Sequence, residues 1–143
     1  MFSHAFPATS SDAQHNRQGG VLRGSRILIV EDEPLMAVDY HFQVREMGAI
    51  PVGYKGTNSA ALDFLANNAV DAVIVDYALR DGKSEPLIRW LLKHSVPFVV
   101  ITANKPEMRQ WIGVVPVVDK PISPLDLRTA LFGLLATGNT AGA

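Results

Sequence analysis

The chain has 143 residues, room for one domain and little more, and 48% of them are hydrophobic against 19% charged, the balance of a foldable globular chain. A net charge of -1 leaves no surplus of Lys and Arg to neutralise phosphates, which argues against a mainly electrostatic nucleic-acid binder. With no cysteine, disulfides, thiolate catalysis, iron–sulfur clusters and cysteine-based zinc sites are excluded.

No apolar run approaches the ~20 residues that span a bilayer, so no membrane association is expected. The N-terminus lacks the basic start and apolar core of a secretory signal, so a soluble, reduced, cytoplasmic protein is the expectation. Met1 to Gly24 is polar, without apolar periodicity, and reads as a flexible arm (residues 1–24). Residues 136–143 read as a flexible Gly/Thr/Ala tail, which leaves 25–135 as the folded unit.

Within that unit, apolar runs alternate with helical patterns. Arg26 to Val30 is a short β-branched run, the first buried strand. Pro34 to Met47 predicts a helix, with Pro34 suited to its first turn and Gly48 to its C-terminal cap. Ile50 to Tyr54 predicts the second strand, Ser59 to Asn67 the second helix and Ala72 to Val75 the third strand. Glu85 to His94 predicts the third helix and Phe98 to Ile101 the fourth strand. Pro106 to Trp111 offers only a short, weak helix, and Val114 to Val118 predicts the fifth strand. Ser123-Pro124-Leu-Asp126 is a capping-box-like start for a last helix through Leu127, Leu131, Leu134 and Leu135.

Strands alternating with helices mean an α/β fold with an open parallel sheet, and non-alternating apolar strands agree, because such a sheet is covered on both faces. Proline cannot donate to a ladder and belongs at edges or bulges. Pro51 and Pro116 therefore put the second and fifth strands at the edges, which the flavodoxin-like, doubly wound order 2-1-3-4-5 satisfies.

In such a sheet ligands bind beyond the carboxyl ends of the strands. Glu31-Asp32-Glu33 follows the first strand, Asp76 the third, Thr102-Ala103 the fourth and Asp119-Lys120-Pro121 the fifth. Carboxylates at close range need a cation, and oxygen ligands without His or Cys select Mg²⁺, with Mn²⁺ as an alternative. An ammonium and a hydroxyl beside them suit phosphoryl oxygens. A carboxylate next to a divalent ion can attack phosphorus and form an acyl phosphate.

Val30-Glu-Asp-Glu-Pro34, Asp76, Thr102-Ala103 and Lys120-Pro121, in this order on five parallel strands, resemble the receiver domain of two-component response regulators, in its stand-alone single-domain type. The resemblance covers about Ser25 to Leu135, and the interval of 44 residues from Asp32 to Asp76 is typical of the family. It implies that Asp76 accepts a phosphoryl group. It implies that Asp32 binds Mg²⁺ directly, Glu31 through water, and Asp76 and the backbone carbonyl of Ala78 complete the protein ligands. Thr102 would bond a phosphoryl oxygen, Ala103 would leave the group accessible and lend its amide, and Lys120 would pair with its charge. Lys120-Pro121 would be a cis peptide bond.

The chain departs from the family pattern at Val117, where many receivers carry a switching aromatic residue. The intervals Asp76 to Thr102 (26 residues) and Thr102 to Lys120 (18) are short, the second at the expense of the fourth helix. Val96-Pro-Phe-Val-Val-Ile-Thr102 also resembles the FAT GUY branch of single-domain receivers, whose fourth helix is altered, although Ile-Thr-Ala-Asn replaces most of that signature. Trp111, on the short segment, stays open between packing and a half-exposed partner anchor.

The resemblance implies a phosphorylation-controlled signalling module of a two-component system or phosphorelay. A histidine kinase or phosphotransfer protein would phosphorylate it, and output would pass through a downstream protein partner, not DNA. The alternative is a degenerate receiver that binds partners independently of phosphate. A phosphatase acting on external substrates is disfavoured, since haloacid-dehalogenase-type enzymes carry a second Asp where Ala78 stands. Homodimerisation is left open.

Overall fold

The structure is a computed structural model that describes residues 22–141. Five strands form one parallel sheet: β1 (Arg26–Val30), β2 (Ile50–Lys55), β3 (Ala72–Asp76), β6 (Phe98–Thr102) and β7 (Val117–Asp119), in the order β2-β1-β3-β6-β7. The three central strands carry the apolar, β-branched runs. Every residue of β3 and β6 is buried, and all of β1 except Arg26. A strand without polar alternation can be satisfied only between two covered faces, and helices supply both covers.

Alternate strand residues divide the core in two. Ile27, Ile29, Ile74, Val99 and Ile101 pack on the side of α1 (Pro34–Glu46) and α4 (Pro124–Ala141), with Ala37, Tyr40, Val44, Leu127 and Leu131. Leu28, Val30, Val73, Val75 and Val100 pack on the other side, with α2 (Asn58–Asn67) and α3 (Glu85–Lys93). The edges are the two proline-bearing segments, as the ladder argument requires. Pro51 sits where Ile27 pairs with Pro51 but Leu28 pairs with Gly53, an irregularity that steps over Val52. Pro116 stands just before β7 and contributes only its carbonyl, accepting from the Val100 amide at 2.9 Å.

Several boundaries differ from the sequence reading. The fifth strand begins at Val117, not Val114, because the amides of Val114 and Val115 donate back to the Trp111 carbonyl at 2.9 and 3.0 Å and hold that stretch in a turn. The fourth helix of the expected pattern is a single 3-10 turn, Lys105–Met108. Residues 1–21 of the expected arm and residues 142–143 of the expected tail lie outside the described residues. Of the rest of the arm, Leu22 is fully buried in the first core and the Gly24 amide donates to the Gly48 carbonyl at 3.0 Å. The last helix continues to Ala141, past Leu135. No helix among the described residues is long and apolar enough to cross a membrane.

One element escaped the sequence reading altogether. Ala78–Leu79 (β4) and Gly82–Lys83 (β5) form a minimal antiparallel hairpin straight after β3, with Gly82 at φ 122°, a conformation that favours glycine. Asp81, at its tip, reaches across to the start of α2. Its Oδ1 accepts from the Asn58 amide at 2.9 Å and its Oδ2 from the Ser59 amide at 3.2 Å, while Thr57 Oγ1 accepts from the Ala60 amide at 3.0 Å. The helix is thus capped by its own Thr57 and by a residue more than twenty positions away. Asp81→Ala is expected to cost about 1 kcal/mol in urea unfolding, the usual worth of a helix cap. An unchanged midpoint would show that water serves those amides equally well.

Candidate functional site

The carboxyl ends of β1, β3, β6 and β7 are neighbours, so the residues that terminate them meet at one rim. Glu31 extends the ladder, its amide donating to the Lys55 carbonyl at 2.8 Å, which draws its side chain in to 2% exposure. Asp76 and Thr102 are the last residues of their strands and are also buried. Lys120 follows β7 directly, and its amide donates to the Thr102 carbonyl at 2.7 Å. The Lys120-Pro121 peptide is cis.

Carboxylate oxygens of Glu31, Asp32 and Asp76 all lie within 4.8 Å of one another. Lys120 Nζ reaches into this group, donating to Asp76 Oδ2 at 3.0 Å and lying 3.6 Å from Glu31 Oε1. The other Asp76 oxygen, Oδ1, accepts from the Ala78 amide at 3.3 Å, and Glu31 Oε2 accepts from the Glu33 amide at 3.1 Å. Glu31 Oε1 is buried without a hydrogen bond. Such an oxygen is costly unless something binds it, and a three-carboxylate cluster around it could hold a metal ion. The all-oxygen donor set fits a hard divalent cation.

Thr102 sits at the same rim, where its hydroxyl accepts from the Asn104 amide at 3.0 Å and keeps its own proton to donate. Ala103, next to Thr102, and Ala78, two residues after Asp76, are small and exposed. The sequence reading missed Arg80. Its guanidinium leans over the rim, with Nη2 3.5 Å from the Asp32 carbonyl, close against Gly56. A Cβ on Gly56 would come within 3.1 Å of that nitrogen and 3.4 Å of the Asp32 Cα. No motif marks Arg80, because its place depends on a hairpin only six residues long.

Charge sets the character of the site. Burial pushes the Glu31 carboxyl up to about 7, and the nearby Asp76 carboxylate adds to this against the opposing pull of the Glu33 amide and Lys120. Burial pulls Lys120 down, but its hydrogen bond to Asp76 and the charges of Asp76 and Glu31 more than offset that, leaving the ammonium above its ordinary value. A carboxyl raised from 4.5 to about 7 holds its proton in the folded chain after the unfolded chain has lost it. Stability must therefore fall as pH rises between those two values, then level off. In metal-free urea unfolding we expect this decline from about pH 5 to pH 8, and Glu31→Gln should flatten it and be the more stable protein at pH 8. A wild-type profile no steeper than that of Glu31→Gln would contradict it.

Comparison with family models gives no match, and neither does comparison with curated proteins. Solved structures do match. SdrG from Sphingomonas melonis Fr1 is 34% identical over 78% of this chain and 97% of its own, with a TM-score of 0.69. The receiver (REC) domain of the PhyR response regulator from Erythrobacter litoralis is 27% identical over 82% of this chain and 94% of its own, with a TM-score of 0.74. The PhyR response regulator from Brucella abortus is 25% identical, with a TM-score of 0.75, but this chain spans only 55% of it. A likeness that runs almost end to end through SdrG and the isolated PhyR receiver domain, on a sheet of this order and with an acidic cluster at its typical phosphorylation site, settles the family: the chain belongs to the response-regulator receiver domains.

Proposed function

We propose that the chain is a Mg²⁺-dependent phosphoacceptor module, phosphorylated on Asp76 by a histidine kinase or phosphotransfer protein and read by a downstream protein partner. The observation that carries this reading is the position of Asp76 Oδ2, 3.0 Å from the Lys120 ammonium, with the Asp32 and Glu31 carboxylates of the cluster alongside. Glu31, Asp32, Asp76 and the Ala78 carbonyl would hold Mg²⁺, or Mn²⁺ in its place. When bound, the cation offsets carboxylate repulsion and the charge of the incoming phosphoryl oxygens.

An Asp76 carboxylate oxygen forms a new bond to phosphorus. The bond from phosphorus to the donor's nitrogen or oxygen breaks, and that atom leaves with the electron pair. Lys120, already hydrogen-bonded to the acceptor, pairs with the added negative charge. Thr102 can turn its free proton toward a phosphoryl oxygen while still accepting from Asn104. Ala103 lends space and its amide. The exposed residues flanking the site, Ala78 and Asn104, bring no acid or base to activate hydrolytic water, so the phosphoryl group should last minutes or longer.

A second reading draws on Val117, which is not aromatic, and on the single 3-10 turn where a fourth helix is expected. By that reading the chain is a degenerate receiver, an interaction module indifferent to phosphate. That single turn is also what the FAT GUY branch would accommodate.

Incubation with acetyl phosphate and Mg²⁺, followed by intact mass spectrometry, should add one phosphoryl group, about 80 Da. The gain should vanish in Asp76→Asn and in EDTA, and decay over minutes once the donor is removed. No gain, with partner binding intact in Asp76→Asn, would favour the degenerate module, and decay within seconds would contradict the lifetime.

A further inference from the structure

Tyr77 follows the proposed acceptor and is buried in the second core. It is enclosed by the turn that the Ala78 amide closes on Asp76 Oδ1. Its backbone is pinned on both sides, with the amide donating to the Ile101 carbonyl at 2.9 Å and the carbonyl accepting from the Ser84 amide at 2.8 Å. Its hydroxyl donates to Glu85 Oε2 at 3.1 Å.

The same oxygen takes two further donors from the segment that replaces the fourth helix, Gln110 Nε2 at 2.5 Å and Trp111 Nε1 at 3.4 Å. That segment has little regular structure of its own, a single 3-10 turn and one isolated bridge between Ile112 and Val115. It is held instead by side chains: Trp111, Met108 and Val115 sunk into the core, Arg89 over the Trp111 ring, and a 2.6 Å ion pair between Lys83 and Glu107. Trp111 is thus buried, 8% exposed, and is not the half-exposed anchor left open by the sequence.

We infer that Glu85 is a shared clasp: its Oε2 couples Tyr77, and through it the Asp76 turn, to the strap formed by residues 105–116. One carboxylate oxygen offers two lone pairs, so three donors compete for it, and a change at one alters its hold on the others. A phosphoryl group on Asp76 removes one carboxylate oxygen from the pair that Ala78 and Lys120 now share. The turn around Tyr77 must adjust, its hydroxyl shifts on Glu85, and the strap's grip through Gln110 and Trp111 changes. Exposed Ile112 and Val114 lie on this strap, so the adjustment reaches the surface.

This inference rests on Asp76 being the acceptor, and the two can fail separately. Trp90→Phe leaves Trp111 as the sole tryptophan. In that background, Trp111 emission and intact mass are followed together during phosphorylation by acetyl phosphate and Mg²⁺. The clasp predicts that emission changes as mass is gained. Adding Tyr77→Phe, which keeps the ring in the core, should abolish most of the emission change while the mass gain persists. Full emission change in Tyr77→Phe, or mass gain with unchanged Trp111 emission in the Trp90→Phe background, overturns the clasp alone. No mass gain at all overturns the acceptor reading and the clasp with it.

Discussion

Three carboxylates facing one ammonium are the constraint on which the rest of the molecule turns. Oxygens that share a 4.8 Å sphere repel by roughly 3 kcal/mol per charged pair at an effective dielectric of about 20. A fold tolerates this only if something rigid enforces it. The enforcement here is the parallel sheet: Glu31, Asp76 and Lys120 are each placed by the strand before them, and those strands are buried by both cores. The cost is eased by Lys120 and by a proton that Glu31 keeps near neutral pH. Neither removes it, and the buried Glu31 Oε1 is still without a hydrogen bond. An acidic cluster in that condition could hold a metal ion.

How much of this could be read from the sequence depended on whether the signal was local. The central strands announced themselves as β-branched runs without alternation. The sheet order followed from Pro51 and Pro116, because a missing amide is a local property with a global consequence. The rim residues followed from position alone, since what ends a parallel strand must lie at the carboxyl edge. The failures are equally physical. Val114 to Val118 has the composition of a strand, but Trp111 buries its ring, and its carbonyl takes two amides from that stretch. The hairpin at Ala78–Lys83 is too short for periodicity to register, and with it went the role of Asp81 as a distant cap and of Arg80 at the rim. The last helix runs past its final leucine because Ala136 and Thr137, though no part of an apolar stripe, do not interrupt a helix.

The two faces of the sheet carry different burdens. On one face, α1 packs through Ala37, Tyr40 and Val44, and α4 through Leu127, Leu131 and Leu135. On the other, a helix is replaced by a strap whose order comes from side chains, notably the Glu85 carboxylate and the indole it holds. The strap is fastened by these polar contacts together with Met108, Trp111 and Val115 in the core and the turn closed on the Trp111 carbonyl.

A divalent cation held by Glu31, Asp32 and Asp76 would have to displace whatever proton burial and the Asp76 carboxylate keep on Glu31. Calorimetric Mg²⁺ titration in buffers of differing ionisation enthalpy tests this directly, by counting protons released on binding. Release of about one proton near pH 6, falling toward zero by pH 9, is expected, and it should be lost in Glu31→Gln. Binding without proton release at pH 6, or no binding at millimolar Mg²⁺, would contradict it.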